Sequence, residues 1–112
     1  MKWNLSYRLD PAEDVLEEDE FERKLGLQAM YSYVLTDRRV LFRFNSLNTK
    51  LTQSFTYGEI QSADTVSRLM VRYLKITSAG RDYLINVRDP EGLAAKLMEN
   101  KGRFAPAEAG RV

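Results

Sequence analysis

Apolar and polar residues alternate through the middle of the chain with the two-residue period of strands that cover one face. Tyr31, Tyr33 and Leu35 share a face of the first run, which Thr36-Asp37-Arg38-Arg39 interrupts with residues suited to a turn. Val40, Phe42 and Phe44 resume on one face with Leu41 and Arg43 on the other, and Asn45-Ser46-Leu47-Asn48-Thr49 predicts the next turn. Leu51, Gln53, Phe55 and Tyr57 then alternate against Thr52, Ser54 and Thr56. Beyond Gly58, Ile60 to Val66 is a weaker strand and Leu69 to Thr77 a strong one, because Val71, Tyr73, Leu74 and Ile76 favour extended backbone. Ser78-Ala79-Gly80 supplies a tight turn, and Tyr83, Ile85 and Val87 form a clean face after it. Short turns between such runs predict a meander of antiparallel strands.

The period then changes. Asp89-Pro90-Glu91 reads as a helix start, with Asp89 as cap, Pro90 in the first helical position and Glu91 at the positive end of the dipole. Leu93, Ala94, Leu97 and Met98 make an apolar stripe at helical spacing, and Gly102 is placed to end it. Residues 103–112 have no period. At the other end, Trp3, Leu5, Tyr7 and Leu9 alternate like a strand until Asp10-Pro11 breaks the run. Val15, Leu16, Phe21, Leu25 and Leu27 fit neither period; a strand is expected there, with a short helix from Glu17 to Lys24 as the alternative. The expected organisation is an N-terminal extension or extra strand over 1–12, one mainly β domain with a single C-terminal helix over 13–101, and a flexible tail over 102–112.

Composition narrows the chemistry. The 112 residues include no Cys and no His, which removes disulfides, thiolate and imidazole ligands, and the usual nucleophile and general base near neutral pH. Glu17-Glu18-Asp19-Glu20 is a run rather than two separated carboxylates, and it lacks the spacing of a calcium loop. No glycine-rich phosphate loop is present either. The expectation is a protein that is not an enzyme and uses no metal or cofactor. Charge is uneven: residues 1–22 hold eight acids against Lys2 and Arg8, whereas residues 23–112 hold 15 bases against eight acids. With a net charge of only +1, nucleic acid is not an expected partner. The aromatics that interleave with bases (Tyr31, Tyr33, Phe42, Phe44, Phe55, Tyr73, Tyr83) read as core and sheet-face residues. No apolar segment is long enough for a secretory signal or a transmembrane span, so residence is expected in the cytoplasm, with the inner face of the membrane open to peripheral contact.

The string Tyr33-Val34-Leu35-Thr36-Asp37-Arg38-Arg39-Val40-Leu41-Phe42 resembles the second and third strands of bacterial pleckstrin-homology-like domains and the related GRAM-type domains. The acidic-hydrophobic opening Glu13-Asp14-Val15-Leu16 and the step Glu59-Ile60-Gln61-Ser62 are similar to the same families. The resemblance runs from Glu13 to Asn100 and implies a bent, seven-stranded antiparallel barrel capped at one end by the helix. Under that topology Arg23, Lys24, Arg43, Lys50 and Arg81 gather about the open end as candidates for binding anions or lipid headgroups, with Arg38 and Arg39 as secondary candidates. The first hairpin offers only Arg23 and Lys24, followed by Gly26-Leu27-Gln28, in place of the dense basic set of lipid-binding relatives. The expected function is that of a non-catalytic module acting through protein contacts, self-association included. Peripheral binding to anionic lipid through the basic end is the alternative.

Overall fold

Seven strands and one helix follow each other in a computed structural model that describes residues 9–25, 27–46 and 49–109, the side chains at 23–25, 27–28 and 106–109 excepted. They fall into two compact units, residues 1–54 and 55–112. Trp3, Leu5 and Tyr7, read as a strand, lie outside the described residues.

β1 (Val15–Leu25), β2 (Leu27–Thr36), β3 (Arg39–Ser46) and β4 (Lys50–Thr56), which belong to the first unit apart from the last two residues of β4, form an antiparallel sheet in sequence order. The helical alternative for Glu17 to Lys24 is therefore replaced by strand. A bulge between Val15 and Glu17 shifts the register, after which Asp19 faces Tyr33 and Phe21 faces Tyr31. One ladder of aromatic rings crosses three strands: Phe21 stacks on Tyr31 at 5.4 Å, and Tyr31 meets Phe44 at 5.0 Å. Nearer the β2–β3 turn, Val34, Leu35, Val40, Leu41 and Phe42 are all buried, so both faces of the sheet are covered there. In β4 only the end is covered: Phe55 is buried, while Leu51 and Gln53, expected on its inner face, are exposed.

The second unit holds β5 (Ser62–Arg68), β6 (Val71–Ser78), β7 (Arg81–Ile85) and the helix α1 (Pro90–Ala109). The three strands form their own antiparallel sheet, so the seven strands and single C-terminal helix expected are present, in two sheets that are not closed into a barrel. The reason lies after β4. Glu59 N–H donates to the Thr56 carbonyl at 3.0 Å, and Tyr57 and Ile60 turn fully inward, so the chain leaves β4 without forming a hairpin onto β5.

Both hairpins of this sheet have two-residue turns with left-handed backbone, the geometry that matches strand twist. The β6–β7 turn uses Ala79 (φ 53°) and Gly80 (φ 75°), with the Gly80 amide bonded to the Gln61 side chain at 3.0 Å. The β5–β6 turn uses Leu69 (φ 49°) and Met70 (φ 67°), where asparagine and glycine are the usual occupants. The strand expected to start at Leu69 thus starts at Val71. A left-handed conformation costs about 1–2 kcal/mol for a residue with a Cβ, and here two large apolar residues adopt it in succession.

The helix packs on β5 and β6 through Leu93, Ala94 and Leu97, all buried, against a sheet face built from Ala63, Leu74, Ile76 and Ile85. Asp89 caps it, its Oδ1 accepting from the Gly92 amide at 3.1 Å. Met98, placed in the stripe by spacing, is 39% exposed at its margin. The helix does not stop at Gly102, which lacks the positive φ of a terminating glycine. Phe104 stacks on Tyr57 at 5.7 Å and Asn100 donates to the Tyr57 hydroxyl at 3.2 Å, so tertiary contacts carry the helix past the glycine.

Candidate functional site

Arg38 lies in the β2–β3 turn and Arg39 opens β3, and each is paired with a carboxylate of this chain. Arg39 grips the Glu13 carboxylate with two parallel bonds, Nε to Oε2 at 2.9 Å and Nη2 to Oε1 at 3.0 Å. The Glu13 side chain is fully covered, and it also accepts from the Thr36 hydroxyl at 2.5 Å and from the Asp10 amide at 3.1 Å. Burial pushes the Glu13 carboxyl up. The bonds from Arg39, Thr36 and the Asp10 amide, with the Arg39 charge, outweigh it and hold the carboxyl below the usual range. Thr36 Oγ1 in turn accepts from the amides of Arg38 and Arg39, each at 3.1 Å. Asp37 and Asp14 close the clasp: the Asp14 amide donates to Asp37 Oδ1 at 3.1 Å, and the Asp37 amide donates to the Asp14 carbonyl at 3.0 Å. Arg38 reaches the exposed Asp10 at 3.1 Å. The string that stood out in the sequence is thus a lock between the segment that leads into β1 and the β2–β3 turn, and the guanidinium fork of Arg39 is occupied by carboxylate.

The Glu59-Ile60-Gln61 step is also structural. Glu59 Oε1 accepts from the Thr56 hydroxyl at 2.9 Å, Ile60 is fully buried, and the Gln61 amide bonds to the Thr77 carbonyl at 2.8 Å.

The basic candidates divide between the units. In an antiparallel meander the β1–β2 and β3–β4 connections lie at the same end. Arg23 (opposite Ala29), Lys24 (opposite Gln28) and Lys50, the first residue of β4, are therefore placed at that one end of the first sheet. Arg43 stands further in, opposite Ser32 on β2, with its Nε bonded to Thr52 Oγ1 at 3.3 Å. Arg81 opens β7 in the second unit.

Two features went unseen in the sequence. The first is the edge formed by β4: it is the last strand of its sheet, and Lys50, Leu51, Thr52, Gln53 and Ser54 are exposed on both faces. Exposure of consecutive residues cannot be read from an alternating pattern, which signals one covered face. The second is the Leu69–Met70 turn, which carries none of the residues that announce such turns.

Among the described residues no group of acidic side chains is arranged to hold a metal ion, and no helix is long and apolar enough to cross a membrane. A family model described as bacterial PH domain matches residues 9–99. No curated protein matches the chain.

Proposed function

The chain belongs to the bacterial PH domain family, and from that premise we propose that it is a non-catalytic binding module that works through protein contacts. Its binding element in this reading is the outer edge of β4, which takes up an extended segment of a partner, a second copy of this chain included. The observation that carries the proposal is the exposure of residues 50–54 on both faces of an edge strand with no proline and one charge, Lys50. An open edge supplies backbone donors and acceptors to a new strand, and Leu51 and Gln53 on one face with Thr52 and Ser54 on the other supply side-chain contacts. At the opposite edge β1 carries a bulge and five acids, features that discourage strand addition there.

Size exclusion with light scattering over a range of concentrations tests the self-association part. Assembly is expected to grow with concentration and to be lost in Leu51→Lys/Gln53→Lys, which puts charge on the edge while shifting stability by no more than about 0.5 kcal/mol per site. A strict monomer at every concentration removes self-association and confines the reading to other proteins. Binding of anionic lipid by Arg23, Lys24, Arg43, Lys50 and Arg81 is the second reading, favoured by the placement of Arg23, Lys24 and Lys50 at one sheet end. Equal co-sedimentation with neutral and anionic vesicles at low salt would sink it.

A further inference from the structure

We propose that the tip of the β5–β6 hairpin, Leu69–Met70 backed by Arg68, is an anchor that enters the surface of an anionic lipid bilayer. This goes beyond the protein contacts assigned to β4 and rests on different residues.

Leu69 is 98% exposed and Met70 103%, whereas no other large apolar side chain among those the structure describes exceeds 58%. Burial in the protein therefore contributes nothing to keeping either residue apolar. Conformation does not favour them either, because both sit in the left-handed region where asparagine and glycine would be more stable. The same sheet contains the economical solution in Ala79–Gly80. A pair that is unfavourable for the fold in both respects points to a contact made outside it.

The surroundings indicate what that contact is. Arg68 and Val71 pair at the base of the turn, so two apolar side chains project from a convex tip with a guanidinium directly behind them. From Thr65 to Tyr73 there is no acidic residue, and Arg68 and Arg72 are both exposed. Arg72 is held by Glu91 and by Thr65 Oγ1 at 2.9 Å, whereas the Arg68 guanidinium meets the carbonyl of its neighbour Ser67 at 3.3 Å and stands closer to the tip. Behind them Val66 and Tyr73 face each other, half-buried. With strands rising about 3.3 Å per residue, a tip that enters the headgroup–acyl boundary by about 5–10 Å brings Arg68 to the phosphates and Tyr73 to the wet side of the interface. A convex projection of this kind suits a fluid surface that closes around it, and the order apolar tip, cation, aromatic ring follows the polarity gradient of a membrane interface.

The test uses the full chain with vesicles of phosphatidylcholine alone or mixed with phosphatidylglycerol. The native protein is expected to partition onto the mixed vesicles and only weakly onto the neutral ones. Leu69→Asn/Met70→Gly installs the turn that the backbone prefers, so its melting temperature should hold or rise while vesicle partitioning falls at least tenfold. Arg68→Gln should reduce the preference for anionic vesicles about fivefold. Because the chain has no cysteine, Met70→Cys carries a single environment-sensitive fluorophore, expected to shift to the blue on mixed vesicles. Undiminished partitioning of the Asn-Gly variant would overturn the proposal and assign attachment to charges elsewhere. Absence of native binding to mixed vesicles at low salt would overturn it as well and assign the tip to a protein.

Discussion

Glu13 shows how one carboxylate can organise a turn that lies far from it in the chain. Its partner Arg39 is 26 residues away, and with Thr36 and the Asp10 amide it satisfies a side chain that is otherwise closed to water. Removing that carboxylate takes the charged partner from a three-quarters-covered guanidinium and one acceptor from a buried hydroxyl, so Glu13→Ala should cost about 3 kcal/mol in urea melts near neutral pH. The sign of the pH effect is set by the lowered carboxyl. A group more acidic in the folded than in the unfolded chain contributes stability that is complete above the unfolded value, about 4.3 for glutamate, and is lost as pH falls through the folded value. Glu13→Gln should therefore lower stability at pH 7 and flatten the acid limb of the stability–pH curve; an unchanged acid limb would show that other carboxylates control it. This site was legible in the sequence only as a string of residues resembling a family, because nothing in the spacing of Glu13 and Arg39 says that they meet. The turn itself was legible, since Thr36, Asp37 and the two arginines interrupt an alternating run.

At the scale of elements, alternation revealed β2, β3, β6 and β7, each with one face richer in apolar residues. It failed for β1, where acids occupy both faces and the bulge after Val15 breaks the parity of the remaining residues. It also misplaced the start of β6, because leucine and methionine at 69 and 70 continue an apolar pattern through a turn. Gly102 misled in the opposite sense, as a terminator that the helix passes through. A Cβ at Gly102 would meet no atom within 4 Å, so Gly102→Ala should stabilise the domain by about 0.5–1 kcal/mol. In the same urea series Leu97→Ala, which empties a fully buried site, should cost about 2–5 kcal/mol, and Asp89→Ala about 1 kcal/mol through loss of the cap. A Leu97→Ala variant as stable as the native chain would mean that the helix adds nothing to the core of its unit.

For the whole molecule, family and fold class were open to reading because they rest on strand count, order and one string of residues. The basic candidates were harder to place, since a residue's position around a sheet depends on which connections share an end and which unit holds them. One consequence of the strand order reaches into time. Among the described residues, every strand in both sheets pairs only with its neighbour in sequence, so no sheet hydrogen bond joins residues separated by another strand. Closing short loops costs little entropy, and local pairings are won early in folding. As the chain leaves a ribosome, β1 to β4 can complete their ladder while β5 to β7 are still to come. Pulsed hydrogen exchange during refolding should accordingly find the β2–β3 amides protected independently of those in β6–β7, and a chain shortened after Thr56 should acquire that first protection at an unaltered rate.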